Sequence, residues 1–146
     1  MVFLNPSLIE RLRNVDINFN KFKWSFDDIK RIVKIIEGFL DLYGYAKPSD
    51  IYSLIMRIRI CYVMECLMNN KNFSNDGVEK VLLNYGLKKE KIDWFFEIYR
   101  KIRDNEKIDV QDARIKKEDI FVLIKIVEDY LKKIEDETKK KIGKRN

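Results

Sequence analysis

The residues best suited to chemistry lie in one segment, residues 99–109, which reads YRKIRDNEKID. Arg100 and Arg103 supply two permanent cations, and Asp104 and Asn105 follow directly. A guanidinium presents a planar fork of N–H donors that fits a phosphate or a carboxylate, so the segment predicts an anion-binding site. The alternative interpretation is a solvated helix end. Basic residues in a last turn complement the helix dipole, and Asn suits the position just past the end.

Arg103 is the more informative of the two arginines, because its spacing places it beside an apolar face. It follows Tyr99 by four residues and Phe96 by seven, so in a helix its Cα lies at the edge of the stripe that these aromatic residues form. A long side chain at such an edge can turn its charged end into a groove between helices. We therefore expect Arg103 to line a groove of a dimer that holds a phosphate or an acidic partner.

Three charged residues interrupt the most apolar part of the chain: Arg57, Arg59 and Glu65. A charged group that is buried without a partner is costly, so each of them is expected to have one. One interpretation is surface snorkelling or a salt bridge between packed helices. The other is that Arg57 or Arg59 joins Arg103 in one basic cleft, or that Glu65 pairs with an arginine and orients it.

Several kinds of chemistry are excluded by the residues that the chain lacks. It contains no histidine, which is the commonest general base and metal ligand, and only two cysteines, Cys61 and Cys66. Both cysteines fall in an apolar run, so we expect buried, reduced thiols. We accordingly predict no catalytic residue, no metal ion and no cofactor.

The elements that must position these residues are helices. The apolar spacing predicts an all-α, up-and-down bundle of four main helices plus one or two short ones. Ser25 is predicted to start the first main helix, which Gly44 stops, and Pro48 opens the second. The predicted divisions are a short N-terminal helix (residues 6–14) with a connector in residues 1–24, the bundle in residues 25–137 and a basic tail in residues 138–146.

Two apolar surfaces suggest more packing area than one bundle core needs. The last predicted helix, from about Lys117 to Lys141, carries a heptad seam made of Ile120, Ile124, Val127, Leu131 and Ile134. Trp94 and Ile98 share a second face of the helix before it. Together they favour a homodimer.

The length of 146 residues and the overall composition fit one soluble domain. The formal net charge is +6, but residues 132–146 alone carry +4, so the body of the chain is nearly balanced. No run is long and apolar enough for a membrane span and no signal peptide is recognisable, so a cytoplasmic protein without a membrane partner is expected. The Ile-, Lys- and Glu-rich composition also matches the trend of thermophiles.

The end of the Arg103 helix, the loop after it and the long final helix resemble the HEPN domains (higher eukaryotes and prokaryotes nucleotide-binding). The segment IYRKIRDNEKIDV supplies the arginine and polar residue of the HEPN motif as Arg103 and Asp104. The residues before it, from SNDGVEK to FFEIYR, resemble the central helices of archaeal members. The motif histidine would fall at positions 108–110, which are Ile, Asp and Val here.

The resemblance implies a non-catalytic relative of the HEPN ribonucleases, because the histidine that acts with the arginine in RNA cleavage is missing. Asp104 or Asp109 would have to replace it, and a solvated carboxylate is a poor proton carrier at neutral pH. The predicted function is a dimeric interaction module that binds a protein partner, such as a small nucleotidyltransferase, or a nucleotide-bearing ligand. Two alternatives stay open: an RNA-binding or weakly RNA-cleaving protein that uses Arg100, Arg103 and the basic tail, and a structural helical subunit of a larger assembly.

Overall fold

Five α-helices form the protein across the part of the chain that the structure describes. The structure is a computed structural model that describes the backbone of residues 19–145 and the side chains of residues 22–140. The helices are α1 (Phe19–Tyr43), α2 (Pro48–Met68), α3 (Asn75–Asn84), α4 (Lys89–Arg103) and α5 (Lys117–Arg145). The predicted all-α helical bundle is confirmed.

Helix α2 lies at the centre of the bundle and contacts each of the other four helices. Its sequence is apolar on nearly every side, and Ile51, Leu54, Ile55 and Ile58 are fully buried. Full burial of one such side chain stabilises the fold by about 1.5–3 kcal/mol, so these contacts dominate the core. Cys61 and Cys66 are buried on the same helix and form no disulfide, as predicted.

Most helix ends follow the signals in the sequence. Gly44 and Gly86, which follow α1 and α3, have φ of +76° and +89°, a left-handed conformation that suits glycine. Pro48 occupies the first turn of α2, where Asp50 accepts a hydrogen bond of 2.9 Å from the Lys47 N–H. Ser74 precedes α3, and its Oγ accepts from the Gly77 N–H at 3.1 Å. Local capping therefore sets where these helices begin and end.

The predicted start of the first main helix at Ser25 is wrong. Helix α1 already runs from Phe19, so Ser25 and Asp28 are interior positions. The reason is tertiary packing: Phe26 is fully buried, and Phe22, one turn earlier, also packs against the core. Because burial of these aromatic rings stabilises the earlier turns, the helix begins before Ser25, although Ser25 is a favourable N-cap residue.

The domain divisions stay predictions. The proposed boundaries at residues 24 and 137 fall inside α1 and α5, and α5 extends to Arg145 instead of ending at Lys141. Thr138, one residue past the second boundary, is buried, and its Oγ1 donates to the Ile134 carbonyl at 2.7 Å. The short helix predicted at residues 6–14 lies outside the described residues.

Two irregular connections are joined to each other. The link between α1 and α2 contains β1 (Tyr45–Ala46), and the link between α4 and α5 contains a 3₁₀ turn (Val110–Asp112) and β2 (Ile115–Lys116). The two short strands pair antiparallel, Tyr45 with Lys116 and Ala46 with Ile115. This ladder ties the start of α5 to the start of α2.

The two apolar surfaces that favoured a homodimer are used within the chain. All five residues of the α5 seam are buried in the core. Ile98 is 2% exposed, and the Trp94 indole N–H donates to Asp112 Oδ1 at 3.1 Å while its ring packs against the core. The seam therefore carries no information about a partner, and the homodimer stays a prediction.

Candidate functional site

Three of the predicted arginines meet in one open groove between α2, α3 and α4. Arg59 projects from α2, and Arg100 and Arg103 project from α4. The groove has a volume of about 330 Å³. We call it the arginine groove; its walls are completed by Asn75, Asp76 and Glu79 of α3 and by Phe96 and Tyr99 of α4.

Helical spacing explains why α4 contributes four residues to this groove. Phe96, Tyr99, Arg100 and Arg103 occupy positions i, i+3, i+4 and i+7, which share one side of a helix. The first two pack inward, and the last two extend from the same side near the C-terminus. The segment thus ends a helix and lines a groove within one chain, while the dimer groove and its bound anion stay predictions.

Arg103 and Asp104 form a two-pronged ion pair at the end of α4. Arg103 Nε lies 2.7 Å from Asp104 Oδ1, and its Nη2 lies 2.9 Å from Oδ2. The hydrogen bonds from Arg103 hold the pKa of the Asp104 carboxyl below its usual range. Asp104 is therefore a carboxylate at neutral pH and a poor proton acceptor. The pair also displays the fork geometry in which a guanidinium binds a phosphate.

Arg100 and Asn105 complete this helix end. Arg100 Nη1 lies 3.0 Å from Glu106 Oε2 and 3.9 Å from Asp104 Oδ2, on the exposed rim of the groove. Asn105 has φ of +55°, and its backbone N–H donates to the Ile102 carbonyl at 3.2 Å. Asn105 thus serves as the left-handed residue that turns the chain away from α4.

Arg59 is the most enclosed cation of the groove. Its Nη2 donates to Asn75 Oδ1 at 3.1 Å, and its Cζ lies 5.6 Å and 5.9 Å from the centroids of the Phe73 and Tyr99 rings. Burial lowers the pKa of the Arg59 guanidinium, and the nearby Arg103 cation lowers it further. Arginine still stays charged at neutral pH, so an anion placed between the two cations would relieve their repulsion.

Tyr99 was assigned from sequence to the apolar stripe, yet it carries a buried polar atom without a hydrogen-bond partner among the described residues. The residue is 4% exposed, and among the described residues its hydroxyl oxygen makes no hydrogen bond. The ring stacks on Tyr52 at 4.9 Å between centroids with an angle of 18° between planes. Burial raises the pKa of the Tyr99 phenol. The sequence signal that could have placed Tyr99 near this site is its position one helical turn before Arg103.

The negative charges of the groove are only partly available to its arginines. Glu79 contacts Lys89 Nζ, which lies outside the groove lining. Asp76 is an acidic residue in the first turn of α3, where it complements the helix dipole. The groove lining contains three guanidinium groups and two carboxylates, and Asp104 and Glu106 beside it pair with Arg103 and Arg100.

Arg57 and Glu65 are not part of the arginine groove. Arg57 Nη2 lies 3.3 Å from Asp28 Oδ2 of α1, and its Nη1 lies 3.4 Å from the Ser53 carbonyl. Glu65 accepts a hydrogen bond from the Tyr130 hydroxyl at 3.1 Å and forms an ion pair with Lys133 at 2.9 Å. The interpretation as salt bridges between packed helices is thus correct for both, and neither orients a groove arginine.

The positions of the missing histidine do not rebuild an acid–base pair with Arg103. Ile108 packs against the core, and the side chain of Val110 is exposed to solvent. Asp109 Oδ2 lies 3.4 Å from Lys101 Nζ. The carboxylate that could replace the histidine therefore pairs with a different cation.

No family model, characterised protein or solved structure matches this chain. Within the described residues, no helix is long and apolar enough to cross a membrane. The same part of the chain contains no cluster of three or more His, Cys, Asp or Glu side chains that could hold a metal ion. The case for function therefore depends on the geometry of the groove.

Proposed function

We propose that this chain is a non-catalytic, HEPN-like helical binding module whose arginine groove holds the phosphate of a nucleotide-bearing ligand. One observation carries the proposal: Arg59, Arg100 and Arg103, from two different helices, line the same open groove. Clustered guanidinium groups recognise phosphate through several charge-assisted hydrogen bonds at once.

The size and lining of the groove favour a nucleotide over a simple anion. A volume of about 330 Å³ exceeds what an inorganic phosphate fills and reaches the lower range of small-molecule sites. The Phe96 side chain, partly exposed beside the arginines, offers an aromatic surface on which a base can stack.

The chemistry of the groove favours binding without cleavage. The sequence has no histidine, and the low pKa of Asp104 makes this carboxyl ill suited to proton transfer near neutral pH. Asp109 pairs with Lys101. A homodimer and a protein partner such as a small nucleotidyltransferase belong to the same proposal through the HEPN resemblance.

The test is a titration of adenosine monophosphate and of a labelled single-stranded RNA oligonucleotide at near-physiological salt. We expect Arg103→Ala to weaken binding of adenosine monophosphate by about tenfold, because the groove loses one of its three cations. Arg31→Ala is the matched control, since Arg31 is an exposed arginine of α1 that pairs with Asp28 away from the groove.

Three results would decide between the functions. Mononucleotide binding that depends on Arg103, with the RNA left intact, supports the proposal. RNA binding without mononucleotide binding, steeply reduced by salt, would favour the RNA-binding alternative. Wild-type protein that binds neither probe, or equal binding by Arg103→Ala and wild type, contradicts a phosphate site in the groove.

A further inference from the structure

We propose that Tyr99 determines the specificity of the arginine groove by donating a hydrogen bond from its buried hydroxyl to the phosphate of the bound nucleotide. This inference rests on the proposed function and assigns a role to a residue that the arginine cluster alone does not explain. It makes the ligand a phosphate ester held by two kinds of donor: the guanidinium forks and a neutral phenol.

The starting observation is an unpaired polar atom in a buried position. Tyr99 is 4% exposed, and its hydroxyl oxygen has no hydrogen-bond partner among the described residues. Most buried side-chain hydroxyls in folded proteins are paired, because a desolvated donor without an acceptor is costly. A ligand acceptor that arrives in the groove would satisfy this donor.

The surroundings of the hydroxyl favour an anion as that acceptor. The Arg59 guanidinium lies over the Tyr99 ring at 5.9 Å, and the Arg103 cation is close enough to stabilise ionised Tyr99. Both guanidinium groups are donors only, so neither can accept the phenol proton. An anion drawn between the two cations brings acceptor oxygens close to the Tyr99 ring.

The ring of Tyr99 is held in position for this role. It stacks nearly parallel on Tyr52 of α2, and Phe96 precedes it by one turn on the same side of α4. A fixed ring keeps its hydroxyl in one place, so little conformational entropy is lost when a ligand binds. This arrangement is typical of a donor that is oriented before binding.

Tyr130 shows what a structural tyrosine of this bundle looks like. It is 1% exposed, and its hydroxyl donates to Glu65 Oε1 at 3.1 Å. Both tyrosines are buried, but they differ in whether the hydroxyl is paired. Phenylalanine substitutions at the two positions should therefore have opposite effects.

The experiment compares Tyr99→Phe, Tyr130→Phe and Arg103→Ala with wild type by calorimetric titration of adenosine monophosphate and by urea unfolding without ligand. We expect Tyr99→Phe to weaken binding about tenfold or more and to leave the urea midpoint unchanged or raised. The reason is that the variant removes an unpaired buried donor together with one hydrogen bond to the anion. Tyr130→Phe should lower the urea midpoint and bind as wild type does.

Each outcome separates this inference from the proposed function. Equal binding by Tyr99→Phe and wild type, with weaker binding by Arg103→Ala, would overturn the role of Tyr99 and leave the phosphate groove standing. A urea midpoint that Tyr99→Phe lowers as far as Tyr130→Phe does would show that the hydroxyl is structural and would also overturn it. No binding of adenosine monophosphate by wild type would overturn both.

Discussion

Replacement of Glu65 by alanine is expected to destabilise the bundle strongly while leaving the arginine groove intact. Glu65 lies on the central helix α2 and joins it to α5 through the Tyr130 hydroxyl at 3.1 Å and the Lys133 ammonium at 2.9 Å. The Glu65 side chain is 17% exposed, so truncation also removes a mostly buried methylene group. Three separate losses therefore contribute to the free energy of unfolding.

The expected loss can be worked from these contacts. A hydrogen bond to a charged acceptor contributes about 1.5–3 kcal/mol, and without Glu65 the 1%-exposed Tyr130 would keep a buried hydroxyl with no acceptor there. One mostly buried methylene group adds about 0.8 kcal/mol. The Lys133 pair adds at most about 1 kcal/mol, because the ammonium is 52% exposed and screened by solvent. Glu65→Ala should thus cost about 2–5 kcal/mol.

Urea unfolding of Glu65→Ala, Glu65→Gln, Tyr130→Phe and the Glu65→Ala/Tyr130→Phe double variant measures these losses. Glutamine keeps an acceptor and both methylene groups, so Glu65→Gln should cost only about 1 kcal/mol. The double variant should be less unstable than the sum of its parts by about 1–2 kcal/mol, since it leaves no orphaned hydroxyl. The reasoning is refuted if Glu65→Ala and Glu65→Gln unfold at the same urea concentration. It is also refuted if the losses in free energy of unfolding of Glu65→Ala and Tyr130→Phe simply add in the double variant.

Three further predictions concern residues outside this link. A Cβ at Gly77 would lie 1.9 Å from the Tyr62 hydroxyl oxygen. Gly77→Ala should therefore lower the melting temperature by the equivalent of about 1–2 kcal/mol, although alanine favours a helix. In a Tyr62→Leu background, Gly77→Ala should not lower the melting temperature. Burial raises the pKa of the Cys61 thiol, so a disulfide reagent should modify Cys61 only after unfolding, and rapid labelling of native protein would contradict this packing. Burial also raises the phenol pKa of Tyr99 and Tyr130, so unfolded chains lose these protons first. The contribution of the two phenols to the free energy of unfolding should be constant below about pH 10 and fall above it, and urea unfolding should show a smaller fall in Tyr130→Phe.

The ends of the helices could be predicted because they depend on neighbouring residues. Gly44 and Gly86 adopt left-handed backbone conformations just past helix ends, and Ser74 and Pro48 start helices by the local rules of capping and proline geometry. The exception is instructive. Ser25 satisfies the same local rules, but α1 begins before it because Phe22 and Phe26 pack against the core. The residues around Ser25 alone do not indicate this packing.

The side on which a charged residue of α2 lies was decided by the tertiary structure. Arg57 and Arg59 are two positions apart, which places them on nearly opposite sides of a helix. Because α2 is apolar on almost every side, no hydrophobic pattern indicates which arginine turns toward α4. Arg57 meets Asp28 of α1, 29 residues earlier in the chain, and Arg59 meets the arginine groove.

By itself, the sequence determined the class of the fold, the helix that carries Arg100 and Arg103 and the exclusion of histidine chemistry, since these depend on composition, local spacing and capping. Only the tertiary structure decided that Arg59 and Arg103 line the same groove and that Glu65 accepts a hydrogen bond from Tyr130. It also decided that the hydroxyl of Tyr99 is buried without a hydrogen-bond partner among the described residues. The physical reason is the distance along the chain over which each interaction acts. Caps and apolar periodicity act within a few residues, whereas the pairing of a buried polar atom depends on which helices pack against each other.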